Sequence, residues 1–282
     1  MEHLHADAAQ RYAHLVARGS EAVLGLDFDG TLAPIVEDPT RARIHPDAAA
    51  AVLAAGRHLG AVAVITGRPV RQALDLGDLA ELSDGLVEAG RELFVLGQYG
   101  NERWSSSHPE VVVPPVPAGV DAFAADLPAA LRSADAADAY IEDKGLAVAV
   151  HTRRLADASA AYDRLLPVLG ALADTHGLTV EPGRQVIEVR GGETHKGEAV
   201  RTLAAELDAR GFCFVGDDLG DVEAFRAVDE LRADGMAGLL VCSGSEEQPA
   251  LRDLADVLVP GPDGVVAFLR ELAADLADRP LA

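Results

Sequence analysis

Two carboxylates two residues apart, Asp27 and Asp29, close an apolar run, Ala22-Val23-Leu24-Gly25-Leu26, and Gly30-Thr31 follows at once. The run reads as a buried strand and the Gly-Thr pair as the break after it. Side chains alternate faces along a strand, so both carboxylates lean the same way at its carboxyl end. Open α/β sheets hold their ligands at that edge. Two like charges so close require a cation or a shared proton. A divalent, oxygen-seeking ion such as Mg²⁺ meets that need. An Asp-Gly turn by itself is ordinary; the second Asp, the apolar run before it and the Gly-Thr after it point to catalysis.

Three more polar clusters follow apolar runs or open helices. Thr66-Gly67-Arg68 follows Ala61-Val62-Ala63-Val64-Ile65, Lys196 stands at a helix start, and Asp217, Asp218 and Asp221 follow Phe212-Cys213-Phe214-Val215. Taken singly, these read as a turn, a solvated lysine and an acidic helix cap. On a parallel sheet the strand ends converge, and the four clusters then form one site with several carboxylates, an ammonium, a hydroxyl and free N–H groups at helix starts. Phosphate-ester hydrolysis needs such a set, because enzymes must supply up to ~10²¹-fold, about 28 kcal/mol, over the uncatalysed reaction. A metal ion, a positive clamp, an in-line nucleophile and a proton donor supply that together. Composition singles out one of these groups. Of 24 basic residues only Lys144 and Lys196 are lysine, which marks them as places where a compact ammonium is needed and a planar guanidinium will not fit.

The elements that must position these groups follow a β-α-β rhythm. A helix is expected over 5–18, then the opening strand, an Ala-rich helix from Pro46-Asp47 to about Leu59, and the second strand. Pro69 sits where a new helix begins, and strand-like pieces follow at Leu86-Val87 and Leu93–Leu96. Pro114-Pro115-Val116-Pro117 is a stiff break and a candidate hinge. Beyond it the order becomes αββαββ, with helices over 119–133 and 157–175 and strands over 139–143, 146–151, 178–181 and 185–189. That order predicts a small antiparallel sheet with helices on one face. The α/β rhythm then resumes with a helix over 195–209, the strand 212–215, a helix over 221–228, strands near 239–242 and 256–259, and a final helix from 263. The expected organisation is a doubly wound parallel-sheet α/β core, Rossmann-like, in residues 1–114 and 191–282, with an inserted domain over 115–190.

Composition narrows the partners. A net charge of −22 over 282 residues repels nucleic acid and anionic membranes, and no apolar stretch is long enough to span a bilayer. The start, Met-Glu-His-Leu-His-Ala-Asp, lacks a basic head and an apolar core, so no signal peptide and a cytoplasmic location are expected. Cys213 and Cys242 lie in apolar runs without metal or redox spacing and are expected to be buried thiols.

The ordered set Asp27-Phe28-Asp29-Gly30-Thr31, Thr66-Gly67-Arg68, Lys196 and Gly216-Asp217-Asp218-x-x-Asp221 resembles the four motifs of the haloacid dehalogenase superfamily of phosphatases. The αββαββ insertion resembles that superfamily's C2B type of cap. Within the superfamily the chain is similar to the trehalose-6-phosphate phosphatase family, through Gln98-Tyr99-Gly100-Asn101-Glu102, Glu142-Asp143-Lys144-Gly145, His151-Thr152-Arg153 and Glu188-Val189-Arg190. The resemblance implies that Asp27 attacks phosphorus and that Asp29 protonates the leaving oxygen and then takes a proton from water. It implies Mg²⁺ on the Asp27 carboxylate, the Asp29 backbone carbonyl and Asp217, with Asp218 and Asp221 supporting that shell. Thr66, the Gly67 N–H and Lys196 would hold the phosphoryl oxygens, and Glu142, Lys144, Arg153 and Glu188 would contact sugar hydroxyls. It further implies a small sugar phosphate as substrate and a trehalose-6-phosphate synthase as a transient partner. Thr152, Gly191, Gly220 and Val222 depart from the family pattern, and none of them removes a catalytic group. The same residues also accommodate a phosphatase or mutase for another sugar phosphate, or a catalytically silent sensor.

Overall fold

A computed structural model describes residues 2–36, 38–183, 185–192, 194–244 and 249–279. The chain divides into two compact units, Met1–Val113 with Thr194–Ala282, and Pro114–Glu193.

In the first unit the elements are β1 (Glu2–His3), α1 (Ala8–Arg18), β2 (Ala22–Leu26), α2 (Ala48–Gly56), β3 (Ala61–Ile65), α3 (Val70–Gly77), α4 (Leu79–Glu88), β4 (Glu92–Gly97), β5 (Glu102–Ser105) and β6 (His108–Val112). The second unit contributes α5 (Val120–Ser133), β7 (Tyr140–Asp143), β8 (Ala147–His151), α6 (Ala158–Thr175), β9 (Thr179–Gly183) and β10 (Val186–Arg190). The first unit then resumes with α7 (Lys196–Glu206), β11 (Gly211–Gly216), α8 (Val222–Ala233), β12 (Ala237–Ser243), α9 (Pro249–Arg252), β13 (Val257–Val259) and α10 (Gly261–Ala277).

The first unit is built on a sheet of order β1-β13-β12-β11-β2-β3-β4-β5-β6. The six strands from β13 to β4 run parallel, and β1, β5 and β6 are antiparallel additions at the edges. The central strands β2, β3 and β11 are buried along their whole length, which is why they read as unbroken apolar runs. Their side chains divide with period two. Leu24, Leu26, Val62 and Val64 join a core beneath α1, α2, α4 and α10, while Val23, Ala61, Ala63, Ile65, Phe212 and Phe214 join a second core beneath α7 and α8. The sheet is therefore doubly wound. β2 lies at its centre with β3 on one side and β11 on the other, a crossover point where the chain leaves a crevice at the strand ends.

Leu86-Val87 is not a strand. It belongs to α4, where Leu79, Leu82 and Leu86 are buried at the three- and four-residue spacing of one helix face. The helix expected over 5–18 begins at Ala8, and ahead of it Glu2–His3 pairs with β13. The helix expected over 221–228 continues to Ala233.

One buried charge ties several of these elements together. Asp256, with no exposed surface, takes the guanidinium of Arg11 from α1 through Oδ1. Its Oδ2 accepts from Arg232 of α8 at 3.0 Å and from the Leu240 N–H of β12 at 2.9 Å.

The second unit has a four-stranded antiparallel sheet of order β7-β8-β10-β9. Val148, Val150, Ile187 and Val189 on one face pack in a single core with Phe123, Leu127 and Leu131 of α5 and Leu165 and Leu169 of α6. Cross-strand pairing sets Glu142 and Glu188 on either side of Ala149, so both glutamates occupy the opposite, polar face.

Candidate active site

The first unit assembles its polar clusters at the carboxyl ends of β2, β3 and β11. Asp27 continues the ladder, its N–H donating to the Val215 carbonyl at 2.9 Å. Past the β11 end, Asp221 turns back beneath the loop. Its Oδ2 accepts the N–H groups of Asp217 at 2.9 Å and Asp218 at 3.3 Å, while Asp218 accepts from the Gly220 N–H at 2.8 Å. Carboxylate oxygens of Asp27, Asp217 and Asp221 come within 4.8 Å of one another.

Lys196, the first residue of α7, enters this cluster and donates to Asp27 at 2.5 Å and to Asp221 at 2.6 Å. Burial alone would pull the Lys196 ammonium down, but Asp221 and Asp27 outweigh it and hold the group well above its usual range. Burial pushes Asp27 up, with Asp221 adding to it and Lys196 opposing. Burial and the charge of Asp218 push Asp217 up as well. Four carboxylates thus share one ammonium. The donors are all hard oxygens, and a divalent cation relieves their repulsion where a proton otherwise must. The residues fit Mg²⁺.

Two glycines make the cluster possible. Gly30 has φ +74°, and a Cβ there would stand 2.0 Å from Oδ2 of Asp217; Ser243 fixes its carbonyl through a 2.7 Å hydrogen bond. A Cβ at Gly216 would meet the Asp221 carboxyl carbon at 2.5 Å. Mg²⁺ at about 100 times its Kd is expected to stabilise the protein by about 2.7 kcal/mol, a Tm rise on the order of 5–10 °C. Gly30→Ala is expected to erase that rise by displacing Asp217. A Gly30→Ala protein with the full Mg²⁺-induced rise would show that Asp217 is no part of the ion site.

The Asp29 side chain stands apart from the acidic cluster. Both its oxygens accept from Arg68, at 2.6 Å each. Arg68 also donates to the Pro39 carbonyl at 2.9 Å and lies over the Phe28 ring. The sequence places Arg68 in a motif but assigns it no task. A guanidinium fork matched to a carboxylate is visible only once β2 and β3 are side by side. Thr66 is buried, and its Oγ1 accepts the Arg68 N–H at 3.1 Å, which leaves the hydroxyl proton for another acceptor. Gly67 follows, with the tip of the Tyr99 ring where a side chain would be.

In the second unit, the polar sheet face collects three of the expected sugar-contacting residues. Lys144 donates to Glu188 at 2.5 Å, and His151 pairs with Glu142 at 2.9 Å. Glu188 Oε1 is buried with no hydrogen-bond partner among the described residues. Arg153 lies two residues beyond β8 and is half-buried. The sequence alone assigns His151 no role; its pairing with Glu142 depends on β7 and β8 lying in register.

Comparison with known proteins places this arrangement. A model of the trehalose-phosphatase family matches residues 131–257. A Mycobacterium tuberculosis protein named as an uncharacterized glycosyl hydrolase is 34% identical over 285 residues; the match covers 96% of this chain and 20% of that protein, so the chain spans a fifth of its length. A rice protein named "probable trehalose-phosphate phosphatase 9" is 31% identical over 283 residues, covering 91% of this chain and 71% of that one. The solved C-terminal domain of a Candida albicans trehalose-6-phosphate phosphatase superposes with a TM-score of 0.75 at 20% identity, covering 97% of this chain and 98% of that one. With a solved Bacteroides thetaiotaomicron haloacid dehalogenase-like hydrolase, which superposes with a TM-score of 0.63 at 16% identity over 89% of this chain and 99% of that one, that likeness establishes the haloacid dehalogenase-like fold. The identity to the rice protein, across most of both chains, shows that this chain belongs to the trehalose-phosphatase family.

Proposed function

We propose that the protein is a Mg²⁺-dependent phosphatase that converts trehalose 6-phosphate to trehalose and phosphate through an aspartyl-phosphate, the last step of trehalose synthesis. The observation that carries the chemistry is Lys196 held between Asp27 and Asp221 beside Asp217. Asp27, Asp217 and the Asp29 carbonyl would hold the ion, which when bound supplies charge stabilisation for the transferring phosphoryl group. Asp218 and Asp221 hold the loop that presents Asp217.

Asp27 attacks phosphorus, and the bond from phosphorus to the sugar oxygen breaks. Asp29 gives that oxygen a proton. It then takes a proton from the water that attacks the phosphoryl group, and cleavage of the bond to Asp27 releases phosphate. Thr66, the Gly67 N–H and Lys196 bind phosphoryl oxygens. Arg68 aims the Asp29 carboxyl, which turns from the guanidinium to the leaving oxygen during the reaction. Glu142, Lys144, Arg153 and Glu188 recognise sugar hydroxyls, a reading supported by the buried Glu188 Oε1, which has no hydrogen-bond partner among the described residues. The free thiols Cys213 and Cys242 are consistent with a cytoplasmic setting. There, transient association with a trehalose-6-phosphate synthase would supply the substrate.

Phosphate release from a panel of sugar phosphates, with Mg²⁺ and with a chelator, tests this reading. Trehalose 6-phosphate is expected to be preferred, and chelation to stop turnover. Equal rates on glucose 6-phosphate defeat the substrate assignment, and an isomeric phosphate without free phosphate defeats hydrolysis. In the same assay Asp29→Asn is expected to lower turnover about 10²–10⁴-fold while keeping the Mg²⁺-induced rise in Tm. A variant that loses the Tm rise and the turnover together would make the Asp29 side chain part of the ion site.

A further inference from the structure

The loop Gln98–Glu102 joins β4 to β5 and holds an unusual backbone. Gln98 and Tyr99 have φ of 47° and 63°, and Gly100 follows at 105°. The left-handed region is rarely occupied by residues with side chains, and two in succession need support from their surroundings. That support comes from the turn bearing Thr66 and Gly67. The Gln98 N–H donates to the Arg68 carbonyl and the Tyr99 N–H to the Thr66 carbonyl, each at 2.9 Å. Glu102, buried, joins loop and turn, because its Oε2 accepts the Val70 N–H at 2.6 Å and its Oε1 the Gln98 amide at 2.9 Å. Gly97 leaves no room for a Cβ, which would stand 2.6 Å from the Val70 N and 2.7 Å from the Arg68 carbonyl. The Tyr99 phenol lies 3.0 Å from where a Gly67 Cβ would be.

The other side of the loop rests on α7. A Cβ at Gly100 would stand 3.0 Å from the Ala199 Cβ, one turn from Lys196. The loop is thus wedged between the turn with Thr66 and Gly67 and the helix that opens with Lys196. Under the reading proposed above, on which this inference rests, those elements bind the phosphoryl oxygens from two sides.

We infer that Glu102 is a positioning residue for the phosphoryl pocket. Through Gln98 and Val70 it locks the left-handed Gln98-Tyr99-Gly100 turn, and that turn sets the distance from Thr66 and Gly67 to Lys196. A simple cap on α3 would need only the Val70 N–H. The second oxygen on Gln98, in a strained segment that touches both sides of the pocket, links the cap to the pocket.

The test exploits the two-donor geometry of Glu102. Glu102→Gln leaves one oxygen for two donors and sets its new amide against that of Gln98. In the double variant Gln98→Glu/Glu102→Gln, the carboxylate at position 98 accepts from the amide at position 102, whose oxygen still accepts from Val70. The readouts are kcat/KM, the Ki of orthovanadate, the Mg²⁺ concentration giving half the full thermal shift, and Tm. Glu102→Gln is expected to lower kcat/KM and raise the vanadate Ki on the order of tenfold, with the Mg²⁺ midpoint unchanged, and the double variant to recover most of both losses. A single variant with wild-type kcat/KM and vanadate Ki, at any Tm, overturns the inference. So does a double variant that regains Tm but not vanadate affinity. A wild-type protein without vanadate affinity overturns both this inference and the reading of the pocket beneath it, whereas normal wild-type affinity with an unaffected variant overturns the inference alone.

Discussion

Asp27→Asn is expected to abolish phosphate release, with turnover falling roughly 10⁴-fold or more, while the fold survives. Asp27 stands where the end of β2 meets Lys196, and neither Asp217 nor Asp221 is placed to replace it as nucleophile. Asp217 is held against Gly30, and both Asp221 oxygens are occupied by Lys196 and the loop N–H groups. An amide cannot form the acyl-phosphate, so acid-quenched protein should carry a phosphoryl group in the wild type and none in the variant. Stability should move the other way. Burial and the repulsion of Asp221 push Asp27 up, so a neutral amide relieves strain in the ion-free protein, and Lys196 keeps Asp221 as its partner. Without Mg²⁺ the Tm is expected to hold or rise, and the Mg²⁺-induced increase to shrink. Phosphate release within tenfold of the wild type would remove Asp27 from the nucleophile's role.

The largest expected effect on stability lies away from the site. Asp256→Ala is expected to cost about 3–5 kcal/mol, because it leaves Arg11 and Arg232 facing each other without their shared counter-charge and strands the buried Leu240 N–H. At roughly 2–4 °C per kcal/mol, the Tm should fall by about 10 °C. Arg11 and Arg232 keep some solvent contact, 26% and 19% of their side-chain surface, and water then offsets part of the loss. Arg11→Ala should cost much less, since Arg232 and the Leu240 N–H remain on Asp256. Activity per folded molecule should be unchanged at low temperature. Equal Tm losses for Asp256→Ala and Arg11→Ala would show that Asp256 is only the partner of Arg11 and no hub.

Asp256 also shows where sequence reading stops. It lies at the start of a short apolar segment and looks like any acidic residue before a strand. Its partners come from positions 11, 232 and 240, and no local pattern marks them. Leu86-Val87 shows a different weakness, because two adjacent apolar residues fit either period, and only the burial of Leu79, Leu82 and Leu86 on one face chooses the helix. Arg68 stands in a legible motif, yet its grip on Asp29 arises from the parallel pairing of β2 with β3.

What the chain determined by itself is local or periodic. Unbroken apolar runs announced strands buried on both faces, and carboxylates at their ends followed from where those runs stop. The shift to αββαββ after Pro114-Pro115-Val116-Pro117 announced an inserted sheet, and the scarcity of lysine singled out Lys196. Tertiary structure decided which of these groups share one space. Lys196 reaches Asp27 across 169 positions of sequence because β11 and β2 are neighbours in the sheet, and charges so far apart in the chain have no local signature. Tertiary structure also separated the two carboxylates of the opening pair. Both were expected to lean one way, but the chain leaves the strand after Asp27, so Asp27 turns to Lys196 and Asp29 to Arg68. The regular alternation of a strand ends where its hydrogen-bonded ladder ends, and beyond that point packing decides where each side chain goes.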